Sequence, residues 1–375
     1  MDKAQKTICF LGGWTKEYSR SVILKRAFIS QNAKVVECYV PPSGYNPVLF
    51  KELPFFMLSN TVRACRLFYR ALSINADVFL VPFPAYYDVP ICWVVSKIKR
   101  KPLFVDLFIS KYVTLIQEFK CDSDTSAKAM LLKMYDKIPL RLATVTLLDT
   151  KSHIDLISKK LSVSKKKMFA LPVGSMAALT KQIKEKQESK EFEIFFYGSF
   201  SPLHGIEYIL RAARMLQKYK DIHFTIVGRG PKYEDMHVLA KRLGLTNVEM
   251  KGEVVSYPEL MSMMGGADIC LGIFGDTPKA QAVVPNKVYD ALALARPLIT
   301  AKAYAVEDSG LKDREHVLLC SGADTHSLAN AILRLKEDSQ LREGIAKRGY
   351  AFFQQNFNEE EIGKMLMSRV RKEEK

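Results

Sequence analysis

Lys287 and Asp290 stand three residues apart in VVPNKVYDALALARPLIT, residues 283–300, and their types point to the chemistry of an anion. A helix entered through Pro285 and Asn286 offers unpaired backbone N–H groups and a partial positive charge, which together suit a phosphate. Asparagine is a good N-cap, and Lys287 adds a mobile cation at the same end. Asp290 lies among Val288, Tyr289, Ala291 and Leu292, on a stretch apolar on almost every side, and such a helix belongs inside a protein. A buried carboxylate left unpaired costs on the order of 1–3 kcal/mol or more. A surface pair between Lys287 and Asp290 contributes only ~0.2–0.5 kcal/mol. A ligand is therefore expected to satisfy Asp290, with the local pair as the alternative.

Other loops carry related signals. In FYGSFSPLHGIE a strand ends at Gly198, and Ser199, His204 and Gly205 follow in a strand-to-helix loop able to present N–H groups to phosphate. His204 supplies either a charge or a neutral donor near neutral pH. VGRGP, 227–231, has a glycine pair without the full Gly-x-Gly-x-x-Gly pattern, so a nicotinamide site is poorly supported, yet Arg229 is placed to meet a phosphate or a base. In the first half, Gly12 and Gly13 follow a strand and let the backbone approach a ligand, a tight turn being the alternative. Asp106 ends another strand and could face a reacting group. Asp149-Thr150 reads as a helix cap. Asp122 and Asp124 in CDSDTS have the Asp-x-Asp form of a metal pair but sit where turn and cap residues are expected. No cluster elsewhere has metal-ligand spacing, so no metal is expected.

The elements that must hold these residues follow from patterning. Short apolar strands alternate with amphipathic helices, as in parallel α/β sheets. Six strands are expected before residue 174 (TICFLGG, KVVECYV, VFLVPFP, PLFVDLF, TVTLLD, MFALPVG) and six after 190 (FEIFFYG, IHFTIVG, VEMKGE, ADICLGI, PLITA, VLLC). Between them SMAALTKQIKEKQESK is polar and reads as a linker. The division is a Rossmann-like domain over 1–174, a linker over 175–190, a second Rossmann-like domain over 191–357 and a C-terminal helix over 358–375 that packs back on the first domain. Two doubly wound sheets place ligands beyond the carboxyl ends of their strands.

Charge separates the halves. Residues 1–190 hold 31 Lys and Arg against 15 Asp and Glu, whereas 191–375 hold 25 of each. A basic half joined to a neutral one suggests one domain facing an anionic surface or acceptor, and no nucleic-acid-reading module accompanies the charge. The 7 scattered cysteines fit a reducing compartment. No apolar run approaches the ~20 residues of a membrane span, and the N-terminal stretch lacks the pattern of a secretory signal.

Read in order, FYGSFSPLHGIEYILRAA, FTIVGRGP, NVEMKGEV, LMSMMGGADICLGIF, PNKVYDALALARPLIT and LREGIAKRGYAFFQQNF resemble the retaining, nucleotide-sugar-dependent glycosyltransferases of family 4, which have the two-domain GT-B architecture. FLGGW, PLFVDLFISKY and LLDTKSHIDLISKKL extend the resemblance more loosely into the first half. It implies a UDP- or GDP-sugar donor held by the second domain, an acceptor against the first, and neither cofactor nor metal. On that resemblance the diphosphate lies at Pro285, Asn286 and Lys287, and Asp290 takes the ribose hydroxyls. Lys287 and His204 stabilise the leaving group, Val254 lies near the base, and Gly12, Gly13 and Asp106 line the opposite wall. The chain departs from the pattern in several places, Ser199 and His204 standing where the family commonly has an arginine and a lysine. Asp290 replaces a glutamate, and Ala282 stands where an earlier glutamate meets the donor sugar, leaving Asp276 and Lys279 as the nearest substitutes. Ala295 replaces a helix-ending glycine.

LPFFMLSNTVRACRLFYRALS places Arg63, Arg66 and Arg70 at helical spacing after Phe55, Phe56 and Met57, and WVVSKIKRK adds Trp93 beside lysines. Basic side chains beside aromatics settle a domain on anionic headgroups. The resulting expectation is a cytoplasmic transferase, peripheral at the inner face of the membrane, acting on a lipid-linked or envelope saccharide. A non-catalytic nucleotide-sugar-binding subunit and a sugar-nucleotide epimerase of similar shape are the alternatives.

Overall fold

The computed structural model describes residues 5–42, 53–177, 191–253 and 255–373, with backbone alone over 53–59. The chain divides into two units. The first comprises Met1–Ile116, Cys121–Pro172 and Glu359–Lys375, and the second Gln117–Lys120 and Val173–Asn358.

In the first unit β1 (Thr7–Gly12), β2 (Lys34–Tyr39), β3 (Val78–Val81), β4 (Leu103–Asp106), β5 (Val145–Leu148) and β6 (Met168–Ala170) form one parallel sheet in the order β2-β1-β3-β4-β5-β6. β3, β4 and β5 are buried along their whole length, which is why they read as unbroken apolar runs. The helices of this unit are α1 (Ser19–Ser30), α2 (Leu53–Leu72), α3 (Val89–Lys99), α4 (Ala127–Leu142) and α5 (Lys151–Leu161), together with a helix from the far end of the chain, Glu359–Glu373. That last helix lies close on α1. A Cβ on Gly363 would stand 2.2 Å from the Ala27 carbonyl oxygen, and Arg26 pairs with Glu359.

The second unit holds β7 (Phe192–Tyr197), β8 (Ile222–Val227), β9 (Val248–Lys251), β10 (Ile269–Leu271), β11 (Leu298–Ala301) and β12 (Leu318–Cys320) in the parallel order β12-β11-β10-β7-β8-β9. Its helices are α6 (Ile206–Leu216), α7 (Tyr233–Arg242), α8 (Tyr257–Gly266), α9 (Asn286–Ala293), α10 (Tyr304–Asp308), α11 (Thr325–Glu337) and α12 (Ser339–Asn356); Glu359–Glu373 is then α13. One face of α6, from Ile206 through Ile209, Leu210 and Ala213 to Leu216, packs with Ile194, Phe196, Phe224 and Ile226 of β7 and β8.

All twelve strands expected from the sequence are present, and the fold class is as read: two doubly wound, Rossmann-like parallel-sheet domains. In the second sheet the strand order reverses between β7 and β10, and in the first between β1 and β3; such points are where open parallel sheets bind ligands. Of the expected linker over 175–190, residues 178–190 lie outside the described residues. Ser175 and Ala177 are buried, so chain packing continues past the expected linker start. Among the described residues no helix is long and apolar enough to cross a membrane.

Candidate functional site

α9 is buried from Lys287 through Ala293, as its all-round apolar sequence demands. Its N-cap is Pro285, in extended conformation at φ −73° and ψ 156°, and Asn286 is the first helical residue. The expectation that asparagine caps this helix is thereby corrected. Proline has no side-chain acceptor, so the capping residue itself makes no side-chain hydrogen bond to the first turn, where the positive end of the helix dipole lies.

Lys287 is 3% exposed, and its Nζ has no hydrogen-bond partner among the described residues. The ammonium lies 4.3 Å from the centroid of the Phe196 ring and 5.8 Å from that of Tyr197. A desolvated cation over an aromatic face gains about 2 kcal/mol. Burying an uncompensated charge costs several kcal/mol, so the rings offset only part. Burial accordingly pushes the Lys287 ammonium well below the usual lysine value.

Two groups complete the corner. Gly198, directly after β7, would place a Cβ 2.9 Å from His204 Cε1 and 3.0 Å from Lys287 Nζ, so glycine is what lets both approach the strand end. His204 is 6% exposed, and its Nδ1 accepts the Ser201 N–H at 3.3 Å, which puts the ring proton on Nε2. Burial, followed by the positive charges of Lys287 and Lys279, holds His204 well below the ordinary histidine value. Of the two roles open to it from sequence, the neutral donor is the one this environment selects. Gly205 takes φ +61° and abuts Phe274 and Gly275, holding the loop that follows β7 against the one that follows β10.

Asp290, 2% exposed, is satisfied by the chain itself. Ser175 Oγ and Tyr257 OH (2.8 Å) donate to Oδ1, and Tyr197 OH donates to Oδ2 at 2.5 Å. Both sequence expectations, a ligand as the needed partner and a pair with Lys287, are corrected: three hydroxyls do the work. Burial raises the Asp290 carboxyl against the opposing pull of those hydrogen bonds. At the other end of the helix, Ala295 takes φ +51°, the left-handed conformation that costs a non-glycine residue about 1 kcal/mol.

Several residues expected to touch a ligand are occupied otherwise. Lys279 Nζ pairs with Glu118 at 2.9 Å, and the other oxygen of Glu118 accepts the Leu203 N–H at 3.3 Å. Ala282 is buried and Asp276 exposed. Gly228 and Gly230 are glycines because a Cβ would meet the Gly198 and Ser199 carbonyl oxygens at 2.1 and 1.6 Å. Arg229 and Ser199 are exposed, with Arg229 3.9 Å from Glu234 and 5.9 Å from the Tyr233 ring. Val254 lies outside the described residues.

The first unit's candidates are tied up as well. Asp106, expected to face a reacting group, is completely buried against Arg20, whose Nη2 is 3.1 Å away. Arg20 also donates to the Leu171 and Pro172 carbonyls at 2.9 and 2.8 Å. Gly12 and Gly13 face protein instead of a ligand. Their Cβ positions would meet Asp88 Oδ2 at 2.6 Å and Arg63 Nη2 at 2.5 Å, and the Gly13 N–H donates to Asp88 at 2.9 Å. Arg63, read as a headgroup contact, is 7% exposed and forms a two-pronged pair with Asp88. It belongs to the stripe of Leu67 and Ala71, also buried, at spacing i, i+4, i+8. Arg66 and Arg70 are exposed, Arg70 donating to the Tyr39 carbonyl, and Trp93 is half-buried. The side chains of Phe55, Phe56 and Met57 lie outside the described residues. Asp124 bonds Tyr112 and lies 3.3 Å from Lys133, Asp122 accepts the Ser123 N–H, and Ser126 caps α4, so CDSDTS acts as a turn and cap. Thr150 caps α5, while Asp149 lies 2.5 Å from His153 Nδ1.

Sequence reasoning missed Arg20, Asp88, Glu118, Ser175, Tyr197 and Tyr257. Only Arg63, on its i, i+4, i+8 stripe, gave a local sign of pairing.

Residues 179–352 match the family model described as glycosyl transferases group 1. A search of curated proteins finds no match. Among solved structures, Anabaena HepE in complex with UDP-glucose matches with a TM-score of 0.70 at 16% identity, over 98% of this chain and 100% of that one. Sucrose-phosphate synthase from Thermosynechococcus elongatus matches at 0.69 and 15%, over 98% and 99%. TarM of S. aureus matches at 0.61 and 12%, over 82% of this chain and 58% of that one. The likenesses are of fold, the two-domain GT-B type.

Proposed function

We propose that this protein is a nucleotide-sugar-dependent, retaining glycosyltransferase of the family 4 type, whose second unit holds the donor diphosphate where α9 begins. One observation carries this reading: a buried lysine without a hydrogen-bond partner among the described residues, in the first turn of a helix entered through proline, beside a glycine and a neutral histidine at the sheet's switch point. The group 1 match over 179–352 and the UDP-glucose bound to HepE favour a nucleoside diphosphate over other anions.

In this reading the α9 N–H groups and Lys287 receive the phosphates, and His204 donates from Nε2. As the bond from sugar to phosphate breaks, negative charge builds on the diphosphate, and preorganised donors lower the barrier by meeting it there. A bound phosphate would raise the Lys287 ammonium back towards the usual lysine value by supplying the counter-charge that burial denies it. We assign the acceptor, a saccharide or lipid-linked hydroxyl compound, to the basic first unit, with cytoplasmic action peripheral to an anionic membrane surface. Asp106 has no catalytic role in the proposal, because its carboxylate is already the counter-ion of Arg20. The ribose role of Asp290 rests on the resemblance alone, and its three hydroxyl partners give it a structural one.

Lys279 and Asp106, two charged groups expected to serve the donor or the transfer, are paired with Glu118 and Arg20, and this favours the non-catalytic donor-binding subunit as the second reading. Titration calorimetry with UDP, GDP and their sugars, followed by product analysis on saccharide and lipid-linked acceptors, separates the two. Binding with turnover supports transfer, binding without turnover or hydrolysis supports the subunit, and no nucleotide binding rejects both.

A further inference from the structure

Most helices lying on a sheet turn their apolar stripe inward. α4 carries a second apolar stripe outward. Met130, Leu131, Met134 and Ile138 are 62, 67, 60 and 38% exposed, and positions 130, 134 and 138 recur at i, i+4 and i+8 with 131 alongside. The opposite side of the helix is anchored by Ala129, Asp136 and Leu140, all buried. Asp136 accepts hydrogen bonds from Ser110 Oγ at 2.6 Å and from the Tyr112 and Lys111 N–H groups at 2.8 and 3.2 Å. It is the helix's one acid, and it faces in. The basic residues are Lys128, Lys133, Lys137 and Arg141; Lys133 lies beside Asp124, while Lys137 and Arg141 stand three and seven positions beyond Met134, along the edge of the stripe.

We propose that α4 is a docking face for an anionic lipid bilayer, with Met130, Leu131, Met134 and Ile138 entering the boundary between headgroups and acyl chains. Lys137 and Arg141 meet the headgroup charge. The chemistry selects this occupant. Unbranched, pliable methionines gain from any apolar medium and need no shaped pocket, and a helix with one apolar face and cations along it lies in a bilayer interface. In a two-fold contact with a second copy, Lys137 and Arg141 would find no acid on the facing α4, whose single acid, Asp136, is buried, and this opposes self-association. This locates the membrane contact in the proposed function on α4 instead of Arg63, and it stands apart from the transferase chemistry because its test uses neither donor nor acceptor.

The test is flotation of the full chain with vesicles of phosphatidylglycerol and phosphatidylcholine mixed, and with vesicles of phosphatidylcholine alone. The parent is expected to float with the mixed vesicles and to be released by salt. The triple variant Met130→Ser, Leu131→Ser, Met134→Ser should bind at least about tenfold more weakly with an unchanged melting temperature, since its substitutions are exposed. Lys137→Gln with Arg141→Gln should lose about fivefold per charge; it carries the test if the triple variant does not fold. Equal flotation of parent and folded variants, or absence of parent flotation, overturns the proposal. A parent dimer that the triple variant dissolves in sedimentation overturns it in favour of a second copy.

Discussion

The two sheets reverse their strand order at equivalent places, and the two reversal points are furnished in opposite ways. Beyond β1 and β3, Arg63 meets Asp88 against the backbone of Gly12 and Gly13, and beyond β4 Arg20 meets Asp106. Beyond β7 and β10, Lys287 is as deeply buried, yet among the described residues its Nζ has no hydrogen-bond partner and lies against aromatic faces. A buried charge with a counter-ion is part of the fold's own construction. One without it costs stability in the free protein, a cost an incoming anion can offset. The contrast separates residues that hold the chain together from the residue proposed to meet a ligand, although all of them read alike as charged groups near strand ends.

The largest effect that sharpens this contrast is Asp106→Ala. It strands the Arg20 guanidinium and should lower unfolding free energy by about 3–5 kcal/mol in urea denaturation; a variant as stable as the parent makes Asp106 free for catalysis again. Next is Asp290→Ala, which leaves the hydroxyls of Ser175, Tyr197 and Tyr257 without their acceptor and should cost about 1–3 kcal/mol of stability. If instead the variant keeps its stability and loses only UDP affinity, the ribose role is restored. Gly198→Ala crowds His204 and the movable end of Lys287, and it should weaken UDP binding by about 1 kcal/mol in calorimetry while secondary structure is unchanged.

The smallest effect is on pH. The free protein holds Lys287 below its usual value of 10.5, and a bound phosphate raises it again, so binding takes up a proton. UDP affinity should rise as pH falls from 10.5 towards that lowered value and level off below it. In the free protein the same depression means that the unfolded chain binds more protons within this window, so stability rises with pH there. A UDP affinity that is flat across alkaline pH contradicts the assignment.

The strands were legible because β3, β5, most of β4 and the Ile194–Phe196 centre of β7 are apolar runs, and α9 because after Asn286 only Lys287 and Asp290 bring charge to it. What each charge bonds to was not legible. Arg20 and Asp106 are 86 residues apart, Ser175 and Asp290 are 115, and Tyr197 and Asp290 are 93. Spacing within one element informs about neighbours on that element and says nothing about partners brought in by another strand or loop. Arg63 is the instructive exception: its register with Leu67 and Ala71 marks it as inward-facing, and that register outweighs the surface preference of arginine.

The most direct measurement is paired calorimetry and thermal unfolding of the parent and Lys287→Met. Methionine keeps the length and the contact with Phe196 and removes the charge. The account predicts UDP binding weaker by about 1.5–3 kcal/mol together with a melting temperature at or above that of the parent. Unchanged UDP affinity, or a loss of stability as large as that of Asp106→Ala, contradicts it.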